Sequence, residues 1–186
     1  MTALVIILAI LLILAIFIIV MRNNLVASRQ KVKNAWSQID VQLQRRFDLI
    51  PNLVETVKGY MSHESEVLEK VTSLRSSWSN AKTVSDKANV DNALSDTLKT
   101  IMALSENYPD LKANTNFIAL QNELSGTEDK ISFSRQFYND TVTRYNTQLE
   151  MFPSNVVASM FNFKPETLFE VANAETRENV KVDFNK

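Results

Sequence analysis

From residue 3 to residue 21 the chain reads ALVIILAILLILAIFIIVM, with no polar or charged side chain. A helix rises ~1.5 Å per residue, and ~20 apolar residues cross a ~30 Å hydrocarbon layer. The stretch therefore has the length of a membrane span. A cleaved secretory signal would carry a basic start, a shorter apolar core and small residues at its end. Here the run closes on Ile18, Ile19, Val20 and Met21, so residues 1–22 are expected to form an uncleaved transmembrane anchor.

Past Arg22 the apolar residues thin to every third or fourth position: Val32, Trp36, Ile39, Leu43, Phe47, Ile50, Val54, Val57 and Met61. That spacing keeps one stripe on one side of a helix. The stripe holds its phase through Pro51, which predicts a kink inside a long first helix, with Gly59 as a stop and Ser62 as an N-cap beyond it. A second helix is predicted over 63–80, with Val67, Val71, Leu74 and Trp78 on its stripe. A third, over 86–107, carries Val90, Leu94, Leu98, Ile101 and Leu104 and is closed by Pro109. A fourth, over 110–151, repeats every seven residues through Leu124, Ile131, Tyr138, Tyr145 and Phe152.

Scarce glycine and proline beside plentiful Leu, Val, Ala, Glu, Lys and Gln predict an all-α protein, with helix lengths in the order long, short, short, long. Its expected form is an antiparallel up-and-down four-helix bundle over residues 23–152, whose outer helices extend as a coiled-coil stalk toward the membrane. Residues 153–186 form a short apolar segment and a polar tail with a strand-like VKVDF near its end. Two helices cannot surround their own stripes as four can. Val32, Trp36, Ile39, Tyr138 and Tyr145 are therefore expected to meet the stalks of other copies in a homo-oligomer. An even number of helices brings the chain back to the membrane before residue 153. Val156, Val157, Met160, Phe161 and Phe163, uncharged until Lys164, then either touch lipid headgroups or fold back to cap the bundle; the pattern leaves both open.

Composition narrows the chemistry. Two glycines and four prolines in 186 residues leave little for tight turns and no glycine-rich phosphate loop. The absence of cysteine removes disulfides, thiolate metal sites and thiol nucleophiles. A net charge of -1 offers no basic field for nucleic acid. His63, the single histidine, stands in HESE beside Glu64 and Glu66, and a di-iron bundle would need a second histidine in a second Glu-x-x-His pair. No catalytic, cofactor-binding or metal site is expected, and the protein is read as a non-enzyme.

Charge does speak to orientation and pairing. Arg22, Arg29, Lys31 and Lys33 follow the span closely while nothing but the α-amine precedes it. The positive-inside bias then places the N-terminus outside and the C-terminal domain in the cytoplasm, on a single-pass protein of the cell membrane. Asp40, Arg45, Arg46 and Asp48 flank the first stripe, either as a solvated face or as charges that pair across helices and fix register.

The stretch NAWSQIDVQLQRRFDLIPNLVETVKGYMSHE, followed by YPDLKANTNF, ISFSRQFYNDTVTRYN and FPSNVVASMF, resembles the LemA family of bacterial membrane-anchored helical proteins. The likeness runs over residues 24–163, with Gln44 and Phe47 where the family pattern suggests Lys and Tyr. It implies an antiparallel four-helix bundle behind one N-terminal span, and no known activity. One branch of the family takes part in making magnetosome membranes, and other members occur alongside membrane metalloproteases. The function expected is a membrane-associated scaffold or assembly factor that shapes the membrane through homo-oligomers. The alternative is an adaptor for another membrane protein such as a membrane metalloprotease. Partners are thus the lipid bilayer, other copies of the chain, or a second membrane protein, and not nucleic acid.

Overall fold

The computed structural model describes residues 1–61 and 63–170 of the chain. All regular structure among them is helical, in agreement with the all-α expectation. The predicted N-cap Ser62 and the VKVDF stretch lie outside the described residues. The described residues divide into two compact units, one of Met1–Leu49 with Gln121–Leu168 and one of Ile50–Leu120 with Phe169 and Glu170.

The first unit is built on α1 (Thr2–Asp48), a helix of 47 residues with no glycine or proline to interrupt it. No residue of its apolar N-terminal stretch is buried, and from Leu25 onward it buries one side. Leu25, Val32, Ala35, Ile39, Leu43 and Phe47 supply that side. It meets α6 (Thr115–Glu150), whose portion within this unit buries Leu124, Ile131, Tyr138, Val142 and Tyr145. Pairings of Trp36 with Tyr138 and Arg46 with Glu128 make the two helices antiparallel and fix their register. The seven-residue repeat read from the sequence is thus the core face of α6. Its last predicted member, Phe152, is not on that face: α6 stops at Glu150, and Phe152 is 81% exposed.

After Pro153 comes α7 (Ser154–Met160), tied back to the end of α6 by the Ser154 hydroxyl, which donates to the Gln148 and Met151 carbonyls. It ends at Asn162, whose φ of 54° is left-handed, a conformation asparagine tolerates well. There the Phe163 N–H donates to the Ala158 carbonyl and the Asn162 N–H to that of Ser159, closing the helix. The chain then runs without regular structure along α6. Asn146 holds it in two directions, accepting from the Glu166 N–H and donating to the Glu166 carbonyl, both at 2.9 Å.

In the second unit α2 (Ile50–Lys58) and α3 (Ser65–Asn80) pack together, as do α3 and α4 (Val84–Ser105). Ile50, Leu53, Val57, Met61, Leu68, Val71, Leu94 and Ile101 are buried there. Helix α4 starts two residues before the predicted Asp86 because Thr83 and Asp86 cap it reciprocally. The Thr83 hydroxyl accepts from the Asp86 N–H at 3.0 Å, and the Asp86 carboxylate accepts from the Thr83 N–H at 3.2 Å. These bonds hold the Asp86 carboxyl below its usual pKa.

Two predicted helices are broken where the sequence reading carried them through, each for a backbone reason. The fourth helix is not continuous from 110. A single turn, α5 (Pro109–Lys112), precedes Asn114, whose side-chain oxygen accepts from the N–H groups of Asn116 and Phe117 and so opens α6 afresh. Nor does the first helix pass through Pro51 with only a kink. Proline has no N–H to offer the Phe47 carbonyl, and the Leu49 N–H turns back instead to the Arg46 and Phe47 carbonyls. Helix α1 therefore ends at Asp48, and Pro51 falls in the first turn of α2, where a missing N–H costs little. Replacing Pro51 by Ala should accordingly leave the helical circular dichroism signal unchanged and shift the melting temperature by only a few degrees. A collapse of that signal would show that the proline is required for the break.

Candidate functional site

Arg45 and Arg46 project from the last turn of α1 toward α6. Arg45 forms an ion pair with Glu123, both side chains about half exposed. Arg46 is nearly buried, and its guanidinium reaches the Glu128 carboxylate at 2.7 Å. Of the two readings of these charges, pairing across helices holds for both arginines. Asp48 instead accepts within its own helix from the Gln44 amide at 2.8 Å.

Farther toward the N-terminus the seam becomes aromatic. The rings of Trp36 and Tyr138 meet edge to face at 5.7 Å, and the Tyr138 hydroxyl donates to the Thr167 carbonyl at 2.8 Å. One register step on, the Tyr145 hydroxyl donates to the Lys164 carbonyl at 3.1 Å. Of the five residues predicted to meet other copies, Val32, Ile39, Tyr138 and Tyr145 are buried within this one chain and Trp36 is half-buried. The carbonyls that receive the Tyr138 and Tyr145 hydroxyls belong to the segment after α7, where the sequence predicted only a polar tail.

Burial, with the Glu166 carboxylate adding repulsion, pushes the Tyr138 hydroxyl up to about 12 from an ordinary 10.0. Burial likewise raises Tyr145, against the opposing effect of Arg29. A phenol whose folded pKa lies above its unfolded one contributes stability below pH ~10 that disappears as pH rises toward ~12. The melting temperature of the parent should therefore fall steeply across that window. In Tyr138→Phe the fall should be shallower, and the tyrosinate absorbance titration should lose its most alkaline component. An unchanged titration in that variant would place Tyr138 in water.

Directly after the apolar stretch of α1, α7 packs against it. Leu25 of α1 and Val157 and Ala158 of α7 form a buried cluster, with Met21, Leu149 and Phe163 packed against it. The Arg22 guanidinium lies 5.3 Å from the centroid of the Phe161 ring, and that of Arg29 lies 5.3 Å from the Phe163 ring. Such cation–aromatic contacts fix both rings beside α1. Of the residues predicted to lie near the membrane, Val157 is buried and Phe163 half-buried, while Val156, Met160 and Phe161 are exposed.

The described residues also line concavities. One, of about 360 Å³, lies along the α1–α6 seam and is bordered by Lys31, Asn34, Gln38, Phe137, Arg144 and Gln148. The other, of about 670 Å³, lies in the second unit, where Val54, Met61 and Leu68 are edged by Lys58, Glu69 and Thr72. His63 is exposed in the turn before α3. Among the described residues no three His, Cys, Asp or Glu side chains gather as a metal would require.

A long helix that is bare and apolar at one end and packed at the other defines an all-helical protein with a segment able to span a membrane. The LemA family model matches residues 35–184, and the chain belongs to that family. It is 29% identical over 157 residues to Protein LemA of Metamycoplasma hominis, covering 83% of this chain and 71% of that one. It is also 24% identical over 174 residues to magnetosome proteins MamQ 2 and MamQ 1 of Paramagnetospirillum magneticum, covering 80% of this chain and 64% of each of those.

Proposed function

We propose that this protein is a non-enzymatic, single-pass membrane protein whose domain lies in the cytoplasm and scaffolds an assembly of its own copies at the bilayer. The domain is read as an antiparallel up-and-down four-helix bundle. The observation that carries this reading is the continuity of α1. One uninterrupted helix supplies both the apolar span and one side of the packed seam, so the first unit is held to the membrane without a flexible linker. None of the relatives described above bears the name of an enzyme.

The stalk residues first expected to join copies are covered within the chain, and self-association is therefore assigned to a different surface. In the register set by Trp36–Tyr138 and Arg46–Glu128, position 41 lies opposite position 133. Val41 is 64% exposed and Phe133 is 74% exposed, with exposed Phe137 one turn along. Large apolar side chains in such a row mark an association surface more readily than isolated ones do. In mild detergent at micromolar concentration, light scattering should give a multiple of the chain mass, and Val41→Asp with Phe133→Asp should reduce it to one chain with unchanged helix content. A parent that is already monomeric would end the scaffold reading. It would favour the adaptor instead, for which the 670 Å³ groove of the second unit offers an apolar floor to a partner helix.

A further inference from the structure

We infer that the exposed side of α7, with the residues flanking it, is a second membrane contact: an apolar foot that sits in the headgroup layer beside the span. The inference rests on the reading of residues 3–21 as a transmembrane helix. It adds a lipid-binding surface on a separate part of the chain, more than 130 positions later in the sequence.

Position comes first. Helix α1 is unbroken between the span and Leu25, so Leu25 stands roughly 6 Å along the axis from Met21. The headgroup regions add roughly 5–8 Å on each side of the hydrocarbon. Since Val157 and Ala158 are packed on Leu25 and Met21, α7 is held at headgroup depth by contacts that do not involve lipid.

Surface chemistry comes second. With those two residues turned inward, α7 presents Val156 and Met160 outward, at 51% and 63% exposure. Met151, Phe152 and Phe161 extend the patch on either side, and no charged residue occurs from position 151 to 163. In water this group would be an unfavourable apolar surface; in the interface it is an anchor. Arg22, stacked on Phe161, adds a cation at the level of the lipid phosphates.

The two possibilities left open by the sequence are thereby divided between the two sides of one short helix. Val157, Ala158 and Phe163 close the end of the seam, while Val156, Met160, Phe161 and Phe152 face lipid. Because the foot enters one leaflet only, it also widens that leaflet relative to the other, which is how a scaffold of many copies would bend a bilayer.

The chain has no cysteine, so a single introduced one carries a unique label. The full-length protein is reconstituted in phosphatidylcholine–phosphatidylglycerol vesicles with an environment-sensitive fluorophore at Val156→Cys or Met160→Cys. Ile13→Cys marks the span, and Ser125→Cys marks an exposed position on α6, away from the proposed contact between copies and roughly 40 Å beyond the span. Quenchers carried on lipid chains near the headgroup should reduce emission at 156 and 160 several-fold more than at 125, with iodide in the buffer doing the reverse. Equal response to iodide at 156, 160 and 125 would overturn the foot. So would protection at 156 and 160 from both quenchers, because protein would then cover the patch. A label at 13 that escapes the lipid quencher would instead show that the span itself had failed. Both labelled positions are exposed, so their substitution should leave the melting temperature unchanged, and Met160→Ser with Val156→Ser should reduce lipid quenching of a label at Phe152→Cys.

Discussion

Tyr145→Asp should unfold the first unit rather than loosen contacts between copies. The side chain is fully buried, with its hydroxyl on the Lys164 carbonyl and its ring on the face of α6 that meets α1. Losing a ring of this size from a core costs about 3–5 kcal/mol, as large aromatic truncations do. A carboxylate in its place must also be desolvated or protonated, which adds several kcal/mol when no cation compensates fully. Arg29, which already acts on the Tyr145 hydroxyl, recovers part of that cost. The sum still rivals the ~5–15 kcal/mol by which a whole domain is stable. Circular dichroism should show helix content falling together with assembly mass, whereas Thr143→Asp, at an exposed position on the same helix, should change neither. If Tyr145→Asp kept its helix content and lost only mass, the residue would belong to a seam between copies after all.

That expectation reverses the one drawn from spacing alone, and the reason is physical. A heptad stripe states that one side of a helix is covered without stating by what. The repeat Leu124, Ile131, Tyr138 and Tyr145 was legible because its period matches the helix. The segment that accepts hydrogen bonds from two of its members was not, because it is irregular and binds by backbone carbonyls, to which any sequence can contribute. Phe152 fitted the repeat by number, yet α6 ends two residues earlier and leaves it bare.

Local signals were present where helix ends were misplaced. Thr83 and Asp86 form a capping box that the polar run SNAKTVSD concealed among other cap formers. Asn114 is a good N-cap set in what looked like helix interior. Gly59 does lie just past the end of α2, but its φ is not positive and a Cβ there would meet nothing within 4 Å. It ends the helix through low propensity rather than through a left-handed turn. The apolar character of residues 156–163 was plain from sequence. Which of them turn inward could be known only once Leu25 was seen beneath Val157 and Ala158.

A reporter that works only in the cytoplasm should be active when fused after Lys186, and one that works only after export should be silent there. Arg22, Arg29, Lys31 and Lys33 all stand within a dozen residues of the end of the apolar stretch, within the range over which cations govern the orientation of a span. The structure separates their roles. Arg22 and Arg29 lie over the rings of Phe161 and Phe163, so neutralising them also loosens the packing of α7. Lys31 and Lys33 are exposed and stand beyond those contacts, so Lys31→Gln with Lys33→Gln changes the charge balance while leaving the foot intact. That pair alone should weaken the cytoplasmic preference, and adding lysines before Ala3 in the same variant should shift reporter activity toward the exported form. Neutralising Arg22 and Arg29 instead should affect topology to a similar degree and also lower the melting temperature, which the lysine pair should not. An exported reporter that is active in the parent protein would refute the cytoplasmic assignment. In that case α7 would rest on the opposite leaflet, with its contacts to Leu25 unchanged.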